Sequence, residues 1–158
     1  MSEATHDPLS GLHTLLDERD IGRALGHFAR IADTKTFDAL AEVFADDVQF
    51  DYGSGQVEQG IAALRALLSH HLDHCGGTQH LIGSIFVDVD GDHAVSHAYV
   101  QARHQRISDF VGPVFDSNGE YTDHWQRRAE GWRIVRRDVT WAANSGDPAI
   151  IAATTWDG

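Results

Sequence analysis

The spacing of apolar residues along this 158-residue chain changes once, near residue 78. Before that point they recur at intervals of three and four, and beyond it they alternate with polar positions. Ile21, Leu25, Phe28, Ala29 and Ala32 fall on one face of a helix that Asp17 is placed to cap, so the pattern predicts a helix over 21–32 packed inward along its length. A shorter helix is predicted from Thr36, with Phe37, Leu40, Ala41 and Phe44 on its inner stripe, ending near Asp46 and Asp47. Residues 48–52 read as a short strand turned by Gly53-Ser54-Gly55, and Gly60 leads into a third helix carrying Ile61, Leu64, Leu68 and Leu72 on one side.

From Thr78 the period is two, with Leu81, Ile85, Val87 and Val89 on one parity and His80, Ile82, Ser84 and Phe86 on the other. Asp90-Gly91-Asp92 is a hairpin signal, and the strand over 94–104 should pair antiparallel with the one before it. Residues 105–119, with Gly112, Pro113 and Asn118-Gly119, are long for a simple connection and are a candidate lid. A strand over 120–128, a turn at 129–131 and a last strand over 132–141 complete the pattern. Residues 1–15 are polar, contain Pro8 and Gly11, and read as a loosely held arm; residues 149–158, after the sequence SGDP, read as a mobile tail around a single domain over 16–148.

Helices that cover one face of a mainly antiparallel sheet define an α+β domain. If the long strands curl around the first helix, they enclose a pocket whose mouth is lined by helix ends and strand starts. Asp33, at the end of the first helix, and His80, just after the Gly76-Gly77-Thr78 break, occupy such positions. A carboxylate beside an imidazole in an apolar pocket is a proton-transfer device that needs no cofactor: the carboxylate orients the ring and stabilises it once protonated. Arg137 shares a strand parity with Val135, Val139 and Trp141, as a pocket-facing cation would, and Trp141 joins it as a candidate substrate contact. Tyr52, His97, Tyr99, His124 and Trp125 are further strand residues able to line a cavity, with His97 and Tyr99 on one face.

Composition narrows the classes. The 24 acidic against 12 basic residues give a formal charge of −12, which repels phosphate backbones and anionic membranes and so disfavours nucleic-acid binding. Eleven histidines offset most of that charge near pH 5, where solubility should change. Cys75 is the only cysteine; no internal disulfide is possible, which fits a reducing compartment. The start MSEATHDPLSG lacks the basic and apolar regions of a signal peptide and no apolar run approaches a membrane span, so the expected location is the cytoplasm. His70, His71, His74 and Cys75 imitate a metal site, but the stripe through Leu64, Leu68 and Leu72 leaves them reading as a solvated helix end, and no metal is expected.

The segment DERDIGRALGHFARIADTKTFDALAEVFADDVQF, the helix begun by Gly60, and the pieces TQHLIG, DGDHA and GWRIVRR together resemble the SnoaL-like branch of the nuclear transport factor 2-like superfamily, over roughly residues 16–148. The resemblance implies a cone-shaped curved sheet wrapped around N-terminal helices. Within that superfamily the residue pattern is most similar to hexachlorocyclohexane dehydrochlorinase, with scytalone dehydratase and bile-acid 7α-dehydratase as looser relatives. That similarity implies a proton-abstracting pair at Asp33 and His80, and a leaving-group role for Arg137, which follows Trp132 by five residues. Phe28 stands where the dehydrochlorinase has a lysine, and implies an apolar substrate. The resemblance also implies a homodimer or homotrimer.

The expected function is therefore that of a cofactor-independent lyase or isomerase, a dehydratase, dehydrohalogenase or double-bond isomerase in type. It would act on an apolar, cyclic small molecule with His80 as base, Asp33 as its orienting partner, and Arg137 or a tyrosine opposite developing negative charge. The alternative is a non-catalytic ligand-binding or assembly module resembling the β subunits of ring-hydroxylating dioxygenases.

Overall fold

The computed structural model describes residues 8–107 and 111–152. Helix α1 (Pro8–Thr34) is followed by a 3-10 helix (Phe37–Glu42), strands β1 (Phe44–Asp51) and β2 (Glu58–Gln59), and helix α2 (Ile61–Leu72). Four long strands then run consecutively: β3 (Cys75–Asp90), β4 (His93–Arg106), β5 (Val114–Arg128) and β6 (Gly131–Gly146), with a last 3-10 turn at Pro148–Ile150. They form one six-stranded sheet in the order β2-β1-β6-β5-β4-β3. All neighbours are antiparallel except β1 and β6, so the sheet is mixed and the architecture is α+β. No helix among the described residues is long and apolar enough to cross a membrane.

The helices supply one wall of the core. Ile21, Leu25, Phe28, Ile31 and Ala32 of α1 are buried, as are Leu64, Leu68 and Leu72 of α2, and they pack with Phe44, Val48 and Phe50 of β1 and the inner faces of β4, β5 and β6. Helix α1 is longer than its apolar stripe. It begins at Pro8, whose missing N–H costs nothing in a first turn, so the arm expected over 1–15 is helical from residue 8. Asp17 is not its cap: it lies mid-helix and accepts two hydrogen bonds from Arg127 (2.8 Å each) and one from the Trp132 indole (3.0 Å), holding this stretch to the β5–β6 hairpin. The second helix forms as a 3-10 turn only six residues long.

The sheet corrects two parity assignments. Ser84 has φ 49° and the β3–β4 register slips between Gly83 and Phe86, so Ser84 and Ile85 together face Ala98. This bulge turns the strand over. His80 and Ile82 point inward before it and Val87 and Val89 after it, while Leu81 and Phe86 are left on the exposed outer face. A second slip, between His124 and Trp125, makes Val135 the extra residue of β6, so that Ile134 and Arg137 both face inward.

Much of the candidate lid over 105–119 is sheet, since Gln105 pairs with Val114 and the following residues of β5 through Gln126 find partners on β4. Its middle, 108–110, lies outside the described residues. Nor is the start of the expected tail loose: Ile150 is buried against Cys75 and Phe115, with Ile151 packed beside it. Residues 153–158 lie outside the described residues.

Candidate functional site

The end of α1 is tied to the start of β3. Lys35 takes a left-handed conformation, φ 57°, its N–H and that of Thr36 returning to the carbonyls of Ala32 and Ile31 as at a helix C-terminus. Its ammonium then donates to the carbonyls of Cys75 (2.7 Å) and Gly76 (3.1 Å). Asp33 is thereby held beside Thr78 and His80.

Its carboxylate accepts four hydrogen bonds there. The His80 ring donates from Nδ1 to Oδ1 at 2.7 Å, the His80 backbone N–H reaches both oxygens at 3.1 Å, and the Thr78 hydroxyl reaches Oδ1 at 3.1 Å. Burial works to raise the Asp33 pKa, but the bonds from His80 and Thr78 outweigh it and hold the carboxyl below its ordinary value. A carboxylate only accepts, so Nδ1 carries the proton, and the neutral form of the ring is the tautomer with its lone pair on Nε2. The His80 side chain is 8% exposed and that of Asp33 19%.

His80 forms part of the wall of a cavity of about 260 Å³. An engineered cavity of about 150 Å³ holds benzene, so this one has room for a molecule of one or two rings. Phe28 of α1, Leu67, Leu68, His71 and Leu72 of α2, and Tyr52 after β1 form one side. Ala102 and His104 of β4, Phe115, Ser117 and Tyr121 of β5, and Trp141 and Asn144 of β6 form the other, and Ile151 is also part of the wall. The wall is predominantly apolar with a few polar groups, the composition of a small-molecule site.

Two of those polar groups have unusual surroundings. The His104 ring stands edge-on to His80, centroids 5.8 Å apart, and its Nδ1 donates to the Phe115 carbonyl at 3.0 Å. Burial, against the pull of that carbonyl, lowers its pKa below 6.5 and keeps it neutral, again with a lone pair on Nε2. The Tyr52 hydroxyl is buried without a hydrogen-bond partner, as is Nη1 of Arg137. Burial raises the Tyr52 pKa and the charge of Arg137 opposes the rise.

Arg137 does not line the cavity. It is fully buried behind Phe28 and Tyr121, its guanidinium 4.3 and 4.1 Å from their ring centroids, and both Nε and Nη2 donate to Asp123 at 2.7 Å. Burial disfavours its charge, yet Asp123 raises the pKa and the group stays ionised. The sequence places Arg137 on an inward parity but gives no sign of this cross-strand partner.

Of the other expected contacts, Phe28, Tyr52 and Trp141 line the cavity, and the Trp141 indole N–H is spent on the Tyr52 carbonyl at 2.9 Å. Trp125 lies in the core, donating to the Ser96 hydroxyl at 2.9 Å. His97 and Tyr99 are corrections: inward on β4 are Ala94, Ser96, Ala98, Val100, Ala102 and His104, so the alternate positions 97 and 99 face outward, where His97 pairs with Glu120 at 3.0 Å. That stripe of small buried residues ending in a histidine is the signal that would have found His104. Of the histidine and cysteine group near 70–75, His71 turns to the Ile151 carbonyl at 3.2 Å and Cys75 lies beneath Ile150, and no cluster of metal-ligating side chains occurs among the described residues.

A curved α+β sheet closed by helices over an apolar cavity, with a carboxylate–imidazole pair in its wall, defines the class. The chain belongs to the SnoaL-like domain family, whose sequence profile matches residues 13–138. An uncharacterised protein of Mycobacterium tuberculosis is 29% identical over 133 residues, covering 78% of this chain and 84% of its own. Among solved structures, a protein from Kribbella flavida superposes with a TM-score of 0.79 at 25% identity, over 87% of this chain and 98% of the other. A candidate scytalone dehydratase of Novosphingobium aromaticivorans gives 0.77 at 21%, over 92% and 97%. A hexachlorocyclohexane dehydrochlorinase gives 0.71 at 15%, over 95% and 99%. At those last identities the likeness is one of fold.

Proposed function

We propose that this protein is a cofactor-independent lyase or isomerase in which His80 removes a proton from carbon next to an activating oxygen. The observation that carries this reading is the 2.7 Å contact between His80 Nδ1 and Asp33 on the wall of an apolar cavity. Nε2 is the free basic atom; Asp33 fixes the tautomer and stabilises the imidazolium without taking the proton itself. Tyr52 forms part of the same wall; burial raises the pKa of its hydroxyl and the adjacent charge of Arg137 opposes that rise, and we assign this group, turning toward the cavity, to an oxygen that becomes negative as the proton leaves. Arg137 acts here through Tyr52, in place of the direct leaving-group contact expected from the sequence. Neutral His104 offers a lone pair to a substrate hydroxyl.

Phe28 provides an aromatic wall and no cation for a departing halide. Loss of water or migration of a double bond on a neutral cyclic substrate therefore fits this cavity better than dehydrohalogenation. A module that only binds or assembles has no need of a buried, oriented base, which favours the catalytic reading over the alternative.

The test is a panel of cyclic β-hydroxyketones and β,γ-unsaturated cyclic ketones, followed by the absorbance of the conjugated enone and by deuterium uptake in D2O. Turnover by the wild type that is lost in His80→Ala supports the proposal. Turnover that survives this substitution, or none with any member of the panel, counts against it.

A further inference from the structure

The chain leaves β6 at Gly146 and folds back as a short, self-contained turn. Within it the Asp147 side chain accepts from the Ala149 N–H at 3.0 Å, and the N–H groups of Ile150 and Ile151 return to Asp147 and Pro148, each at 3.2 Å. Among the described residues its attachments outside itself are few. The Asp147 N–H donates to the Val114 carbonyl (3.1 Å), Arg106 pairs with the Asp147 carboxylate (2.7 Å), the Cys75 thiol has its single proton between the His71 carbonyl (3.3 Å) and the Ile150 carbonyl (3.4 Å), and His71 donates to the Ile151 carbonyl (3.2 Å). The apolar anchor, Ile150, packs with Cys75 and Phe115 in a cluster separate from the main core. Ile151 and His71 are at the same time part of the cavity wall.

We propose that residues 147–151 are a hinged strap that opens as a unit about Gly146, without opening the main core, and so controls passage into the cavity. Gly146 suits a pivot. It has φ +92°, and a Cβ there would stand 1.9 Å from the Val114 carbonyl oxygen, so any other residue forces the strap away from β5. Among the described residues, the strap's release costs one partly exposed ion pair, the hydrogen bonds from the Asp147 N–H and from His71, the shared thiol contact and the burial of Ile150 against Cys75 and Phe115, whereas the core beneath keeps its packing. Local opening of this kind needs no unfolding of α1 or of the sheet.

Cys75 supplies the reporter, being the only thiol in the chain, fully buried and covered by Ile150 of the strap. Labelling with 4,4′-dithiodipyridine under native conditions should accelerate about tenfold or more in Gly146→Ala, from the strain of a non-glycine residue at positive φ. It should rise a few-fold at most in Arg106→Gln, whose ion pair is solvent-screened. It should be unchanged in Leu25→Ala, which weakens the main core and would raise global unfolding by a factor of about 30 or more. Association of 2-naphthol, a neutral two-ring probe followed by its fluorescence in stopped flow, should be faster in Gly146→Ala than in wild type. Labelling that accelerates in Leu25→Ala and not in the two strap variants overturns the proposal. So does 2-naphthol association that is equal in all the proteins or absent from all of them.

Discussion

Asp33 holds His80 at both ends of the residue: one carboxylate takes the ring Nδ1–H at 2.7 Å and the backbone N–H at 3.1 Å. The ring therefore cannot swing without loosening the strand that carries it, and its orientation is built into the helix-to-strand junction. In Asp33→Asn an amide N–H can point at Nδ1, which favours the tautomer that presents Nε2–H to the cavity. Turnover should fall by a factor on the order of 10³ to 10⁴, as it does when the orienting carboxylate of other imidazole bases is amidated. Steady-state kinetics, with far-ultraviolet circular dichroism to show that the fold survives, checks this.

Acid should weaken the fold in two separate steps. His104 is held neutral in the folded protein below 6.5, so the unfolded chain binds its proton first and stability falls as pH drops from about 6.5 toward the folded value. Asp33 is shifted down from 3.8, so its contribution is fully present above that value and is lost as pH falls through the lower, folded pKa. Urea midpoints measured from pH 8 to pH 3 should show the upper step vanish in His104→Phe and the lower one shrink in Asp33→Asn.

The Arg137–Asp123 pair should be worth little as a pair and much as two halves. Removing one partner strands a charge that has no exposure at all, so Arg137→Met or Asp123→Leu alone should cost about 3–5 kcal/mol. The double variant should recover most of that loss, a coupling readable in a cycle of denaturant titrations. Turnover should stay depressed in the double variant, because the Tyr52 hydroxyl loses the cation that polarises it.

On the outer face, His97→Ala and Tyr99→Phe should leave turnover at the wild-type level and change stability by no more than about 0.5 kcal/mol. A larger effect of either on kcat would mean that the face is not isolated from the cavity.

How far the sequence was legible follows from what side-chain direction depends on. The change of period at residue 78 locates the long strands, and the stripe through Ile21, Leu25 and Phe28 marks the inward face of α1. Asp33 and His80 could be paired because each sits at an element end, where a one-residue error moves a side chain little. Within strands the same error reverses the face. Nothing in the composition around Ser84 or Val135 announces a bulge, so the parity of β3 beyond residue 83 could not be read, nor the exclusion of Val135 from the Arg137 face. On β4 both parities look similar, because Tyr99 and Val95 outside are as apolar as the alanines inside, and that likeness hides His104 while His97 stands out. The order at Ile150 depends on Phe115 and Cys75, 35 and 75 residues away, a contact that a local reading has no means to see.

The central claim is that Asp33 keeps the His80 ring with its proton on Nδ1 and a bare Nε2 toward the cavity. Long-range ¹H–¹⁵N correlation of the imidazole at pH 8, assigned by comparison with His80→Ala, reads the tautomer directly. The account predicts Nδ1–H for His80 in the wild type and a shift toward Nε2–H in Asp33→Asn. An Nε2–H tautomer in the wild type, or two forms in rapid exchange that Asp33→Asn leaves unchanged, would contradict it.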